Sequence, residues 1–260
     1  MRPPAEFART AEDSPVLPPG DCERVSGYGV MGLPFASGHV LGLRRWTASS
    51  VGDRFTSIWH RSPDGRWTFY ESVPSDIACT RYFGDDVETV QVGPIDVAWE
   101  APDRLHVRTV GTEGGTGDEV DDCGVDWTID IGSTLRTRMM SSMGSLMPLA
   151  AWRSRPVLGV MGAMAGRVLG VGRVQLTGTT SNRQHFDANP LRIWYVTDSR
   201  ATVAGDDLGP VGALSEQARM ADFYFPQRGI FAMGRVFITP KDDGEPSVAP
   251  DRPSGALADR

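Results

Sequence analysis

Glu71 is the residue whose surroundings point most directly to chemistry. It alternates with Trp67, Phe69 and Val73 in a stretch of period two, so the four side chains share one face of a strand and the carboxylate stands among apolar groups. Removing a carboxylate from water disfavours its charged form and raises its pKa, which suits it to general acid or base work near neutral pH. Hydration, double-bond isomerisation and cyclisation of an apolar substrate all need such a group. The competing expectation is that Glu71 ends its strand at a rim and pairs with an arginine such as Arg81.

His60 is the second candidate for acid/base catalysis. Ser62-Pro63-Asp64-Gly65 has the proline and glycine positions of a type I turn and joins two strand-like segments. With Arg61 opposite Arg66, His60 faces Trp67, Ile58 faces Phe69 and Thr56 faces Glu71, while Ser57, Trp59, Thr68 and Tyr70 take the other side. His60 then lies about 13 Å along the strand from Glu71, too far for contact but near enough for one ligand to meet both. A histidine exposed at the hairpin end fits the same position.

A hydrophobic pocket would draw its walls from Ile58, Trp59, Trp67, Phe69, Tyr70, Trp127, Trp194 and Tyr195, with Met143 from a helical segment. The aromatic residues serve equally well as ordinary core. Met139, Met140, Met143 and Met147 suit an adaptable lid over a ligand, or a filler of irregular core gaps.

Other chemistries lack their signatures. There is no phosphate-binding loop, and the glycines at 159, 162, 166, 170 and 172 do not open a helix after a strand, so no nucleotide or other cofactor is expected. His39, His60, His106 and His185 lie far apart, without HxH, HExxH or CxxC, so no metal site is expected. No G-x-S-x-G elbow occurs, and neither Cys79 nor Cys123 has a histidine close in sequence.

The elements that must hold these residues read mainly as antiparallel strands. Val125, Trp127, Ile129 and Ile131 interleave with Asp126, Thr128 and Asp130, and comparable alternation at 95–100 and 105–110 predicts a turn-connected pair. From 136 to 172 the period becomes helical: Met139, Met143, Leu146, Met147 and Ala150 form one set, and Val157, Val160, Met161, Met164 and Val168 a second. Pro148 separates the two, and Ser154 with Pro156 marks a helix start. Gly162, Gly166 and Gly170 form a small-residue stripe that lets this helix lie close to a neighbour. Strands resume at 173–180, 191–197 and 235–239. The order sheet, helices, sheet predicts a mainly β protein, an antiparallel barrel or curved sheet with a helical insert.

Residues 1–25 and 240–260, rich in proline or in proline, glycine and acids, read as unordered tails around one domain at 26–239. The net charge of −7, with no long basic cluster, disfavours nucleic acid as a partner. Lys241 is the sole lysine, a bias consistent with a GC-rich genome. Three separated cysteines, no leader-like apolar run and no stretch of about 20 apolar residues predict a cytoplasmic protein without a transmembrane segment. An oligomer is compatible with all of this.

Gly38-His39-Val40, the pair 56–60 and 67–71, and the stretch from Gly172 to Gly178 resemble the lipocalin-like superfamily that contains carotenoid 1,2-hydratase. The resemblance implies a curved antiparallel barrel enclosing a polyene or terpenoid chain, with cofactor-independent hydration or cyclisation. No catalytic motif of that family matches residue by residue, so no functional residue is carried over. The leading expectation is therefore a cofactor-independent lyase or isomerase acting on a hydrophobic natural product. A non-catalytic carrier of a lipid or pigment and an interaction module are the alternatives.

Overall fold

The structure is a computed structural model that describes residues 2–110 and 124–240. Helix α1 (Pro4–Asp13) precedes strands β1 (Glu23–Val30), β2 (Leu33–Pro34), β3 (Val40–Ser49), β4 (Phe55–Arg61) and β5 (Trp67–Glu71). Then come a short helix α2 (Thr80–Phe83) and strands β6 (Thr89–Val92), β7 (Ile95–Ala101), β8 (Arg104–Thr109) and β9 (Val125–Gly132). Helices α3 (Leu135–Leu146), α4 (Leu149–Trp152) and α5 (Arg155–Leu169) interrupt the strands. The chain ends in β10 (Thr177–Thr179), β11 (His185–Val203), β12 (Asp206–Asp207), β13 (Arg219–Met220), β14 (Phe223–Tyr224) and β15 (Ile230–Thr239).

Thirteen strands form one sheet whose main path is β6-β5-β4-β3-β1-β15-β11-β9-β8-β7. Among these neighbours β5 and β6 run parallel and the rest antiparallel. The two end strands, β6 and β7, are joined through Gly93 and Pro94, so the sheet curls until its edges meet at that corner. Gly27 and Gly29 of β1 assist the curl, because a Cβ at either would collide with the carbonyl of Arg45 or Leu43 in β3. The expected mainly β, strongly curved antiparallel sheet with a helical insert is what forms.

Two apolar layers result. Inside the curl lie Tyr28, Leu43, Ile58, Tyr70, Trp127, Ile129, Trp194 and Phe231. On the opposite side, Phe55, Trp59, Trp67, Phe69, Tyr82, Phe83 and Phe225 form an aromatic layer beneath the α2 region and the 218–225 segment. The barrel interior is thus filled by side chains.

The N-terminal stretch corrects the sequence expectation of a tail. Pro4 starts α1, where its missing N–H costs nothing, and Ala5 and Ala8 are buried. Phe7 packs on Trp194 at 5.8 Å, and Glu12 accepts from Arg45 at 2.8 Å and from the Tyr28 hydroxyl at 2.9 Å. The small size of the anchoring alanines hid this contact from a reading based on large apolar residues. Residues 241–260, also expected to be a tail, and Cys123 lie outside the described residues.

The hairpin register differs by one residue from the sequence reading. The Ser62 N–H donates to Arg66 O at 2.9 Å and Gly65 takes φ +93°, so a bulge residue follows the type I turn. Arg61 therefore pairs with Trp67, His60 with Thr68, Trp59 with Phe69, Ile58 with Tyr70 and Ser57 with Glu71. A one-residue slip moves an entire strand face. Glu71 shares its face with Ser57, Trp59, Phe69 and Trp67, while His60 falls on the other.

The insert begins with a capping box, in which Thr134 accepts from the Thr137 backbone and Thr137 Oγ1 accepts from the Thr134 backbone. Ser141 then fixes α3 to β11, accepting from Ile193 N at 2.9 Å and donating to Ile193 O at 3.2 Å. Helix α5 starts after Ser154 with proline in its first turn, as its sequence implies. A Cβ on Gly162 would stand 2.6 Å from Val174 O, and one on Gly166 would collide with Gly172 O, so both glycines admit close approach. Gly170 leaves that stripe and ends the helix at φ +62°.

Candidate functional site

A buried polar group sits between β4, β5 and α2. Glu71 is fully buried, and its Oε1 accepts from Thr80 N at 3.2 Å and Thr80 Oγ1 at 3.1 Å. Among the described residues its Oε2 has no hydrogen-bond partner. Burial pushes this carboxyl up to about 8, and the nearby Ser57, Thr80 and Cys79 groups offset that only in part. Arg81, the alternative partner from sequence, instead binds Glu23 at 2.6 Å. Glu71 is therefore a neutral acid at pH 7, as its alternation with Trp67 and Phe69 implies.

Cys79 and Arg44 extend the group. Burial and the neighbouring Glu71 push the Cys79 thiol up to about 12, which leaves it inert as a nucleophile. Arg44 is buried between the rings of Trp59, at 4.5 Å, and Phe223, at 5.1 Å. Its guanidinium donates to the carbonyls of Val30 at 2.5 Å, Leu43 at 2.9 Å and Met31 at 3.3 Å. Loss of hydration draws its pKa down to about 10, so it stays charged at pH 7.

The apolar cavity lies elsewhere, between the helical insert and strands β1, β11 and β15. It has a volume of about 130 Å³ and is lined by Met140 and Gly144 of α3, Met161, Ala165 and Leu169 of α5, and Ile193, Ile230 and Ala232 of the sheet. Met31, Trp46, Phe223, Tyr224 and Met233 complete much of its wall. Few polar residues line it, among them Ser141, Gln175, Asn189 and Arg235. Gln175 accepts from Arg173 at 3.2 Å, and Arg173 donates to the Tyr224 hydroxyl at 2.9 Å. Arg235 is one of the lining residues, and among the described residues it has neither an ion-pair partner nor a side-chain hydrogen bond.

The sequence-derived wall residues are dispersed. Ile58, Tyr70, Trp127 and Trp194 fill the barrel interior, and the Trp127 indole donates to Ser199 at 2.8 Å. Trp59, Trp67 and Phe69 belong to the aromatic layer around Glu71, with Trp59 stacked on Phe69 at 4.7 Å. Tyr195 packs under the insert and donates to Leu169 O at 2.8 Å. Met143 is solvent-exposed on α3. None of these nine residues lines the apolar cavity. Of the expected methionine lid, Met140 alone reaches it, joined by Met161 from the second helical set.

His60 makes a different pair from the one its sequence position suggests. Its Nε2 lies 2.8 Å from His39 Nδ1, with the rings nearly coplanar at 9°. Burial and the neighbouring imidazole draw His60 down to about 4, so both rings are neutral at pH 7. Because the folded value lies below the ordinary 6.5, this histidine's stabilising contribution is complete above that pH and is lost as pH falls toward 4. His60→Gln should flatten the acid-side loss by on the order of 2 kcal/mol, read from urea unfolding at about pH 4.5 and 7. An unchanged acid limb would show that His60 titrates normally in the folded protein.

Among the described residues no group of three His, Cys, Asp or Glu side chains is placed to hold a metal. The same residues include no lysine, so none of them supplies the amine that imine-forming catalysis requires. No helix among them is long and apolar enough to cross a membrane.

No protein-family model matches the chain, and no curated protein matches it in sequence. Among solved structures it is similar to acetoacetate decarboxylase from Legionella pneumophila subsp. pneumophila str. Philadelphia 1, with a TM-score of 0.40 and 10% identity over 90% of this chain and 93% of that one. A second acetoacetate decarboxylase structure gives a TM-score of 0.40 and 9% identity over 88% and 91% of the two chains.

Proposed function

We propose that the protein binds a small apolar molecule carrying an acidic group, in the cavity between the helical insert and the sheet. The supporting observation is a methionine-rich apolar wall whose lining includes Arg235, an arginine without an ion-pair partner among the described residues. A volume of about 130 Å³ is close to that of engineered cavities that hold benzene, so a ring or a short alkyl chain fits without rearrangement. A polyene or terpenoid chain needs the insert to move outward. Methionine side chains adapt to varied apolar shapes, and Arg235 supplies a counter-charge for a carboxylate.

Two substitutions test this binding site. Ala165→Phe should fill the void and weaken binding of a phenylalkanoate by about 100-fold or more. Arg235→Met should weaken binding of the acid by about tenfold while leaving its methyl ester within about twofold. Calorimetry reads both, and equal losses for acid and ester would remove the counter-charge role.

A second reading makes the protein a lyase or isomerase, with the chemistry suggested by the hydratase resemblance. It draws on the neutral, buried Glu71, whose Oε2 has no hydrogen-bond partner among the described residues. Glu71 does not line the cavity, and its neighbour Cys79 interacts with Trp46, which does. A substrate would therefore reach the acid through a displacement of Trp46. Glu71→Gln should then abolish turnover and keep ligand affinity within about threefold, and retained turnover would leave binding as the function.

A further inference from the structure

We propose that the helical insert docks on an anionic lipid bilayer surface through the outward faces of α3 and α5. Helix α3 is amphipathic in the inverted sense. Thr137, Met140, Ser141 and Gly144 point inward, whereas Leu135 (82% exposed), Met139 (58%), Met143 (36%) and Leu146 (83%) form a solvent-facing stripe. At 100° per residue these four fall within a sector of about 80°, and Arg136 and Arg138 flank it on either side. The exposed face of α5 reads Pro156, Gly159, Val160 (70% exposed), Ala163 and Arg167, with Arg155 at its start.

Charge selects the occupant. From 131 to 186 the chain has seven arginines and no Asp or Glu, while the whole chain carries −7 and the remainder therefore −14. Exposed Leu and Met bordered by Arg, without acids, are the composition of interfacial helices that sink apolar side chains between anionic headgroups. Ser141 on Ile193 and Met140 in the core beneath hold the inner face of α3 to the sheet, so its apolar stripe stays outside. The inner faces of α3 and α5 line the apolar cavity, which places that cavity directly beneath the docking surface.

The test is flotation of the full chain with phosphatidylcholine vesicles, with and without about 30% phosphatidylglycerol. Binding to the anionic vesicles should exceed binding to neutral ones by at least tenfold, about, and should fall steeply near 0.5 M salt. Leu135→Ser with Leu146→Ser alters two highly exposed side chains and should abolish flotation without changing the far-UV spectrum. Arg136→Gln with Arg138→Gln should reduce flotation several-fold. Absence of anionic-vesicle binding, or undiminished binding by the serine variant, overturns the proposal. A vesicle-free dimer that the serine substitutions dissociate also overturns it, assigning the stripe to a second copy of this chain. Flotation is read without any cavity ligand, so its failure leaves the proposed binding site standing.

Discussion

Glu71→Gln should make the protein more stable at alkaline pH. The folded-state carboxyl is raised to about 8 from its ordinary 4.5 by burial, so the folded protein holds a proton that the unfolded chain releases. Its contribution is complete below pH 4.5 and is lost as pH rises through about 8. Glutamine keeps the shape and carries no charge at any pH. Against wild type, the variant should gain on the order of 4 kcal/mol at about pH 9 and differ by less than about 1 kcal/mol at pH 5. Denaturant melts at the two pH values measure this. A variant that is less stable at pH 9 would mean that the carboxylate is charged and paired in the folded protein. His60 acts with the opposite sign, so the two slopes offset one another between about pH 4.5 and 6.5 and the loss due to Glu71 stands alone above that range.

Arg44→Ala should destabilise the fold by on the order of 3–5 kcal/mol, the range of large core truncations. Two losses combine. The side chain fills the gap between Trp59 and Phe223, and its guanidinium satisfies carbonyls of Val30, Leu43 and Met31. Alanine leaves a void where the stem lay and deprives those carbonyls of their charged donor. Arg44→Met restores volume and removes a buried charge, so it should cost clearly less than the alanine variant. Equal costs would assign the whole effect to the hydrogen bonds. Thermal unfolding of the three proteins decides between these cases.

Much of the sheet is legible in the sequence because burying one face of a strand writes a period of two into it. Val125 to Ile131 and the pair at 95–110 show that pattern and form β9, β7 and β8. Burial of Glu71 follows from the same alternation, since residues 67, 69 and 71 share a face whatever the neighbouring strand does. The partner face was not legible: the positive φ of Gly65 adds one residue to the hairpin and moves His60 and Ile58 away from Glu71. That glycine marks a turn but does not announce the bulge.

The cavity was illegible for a different reason. An apolar helical stripe ordinarily marks the buried side, yet α3 exposes Leu135, Met139 and Leu146 and buries Thr137, Ser141 and Gly144. Its inward face is chosen by hydrogen bonds and by small size, because Gly144 lies close to the carbonyls of Pro190 and Leu191. Met140 and Met161 carry no sequence mark separating them from Met139 and Met143. That Arg235 has no partner among the described residues is a property of three-dimensional neighbours and has no local signature.

The most direct measurement of ligand binding is an NMR titration with a short phenylalkanoate, following protein labelled at the methionine methyl groups. Met31, Met140, Met161 and Met233 line the cavity, whereas Met139 and Met143 face solvent on α3. The expected result is saturable shifts in the first four signals, with the latter two unmoved. Shifts confined to Met139 and Met143, or none at saturating ligand, would contradict a binding site between the insert and the sheet.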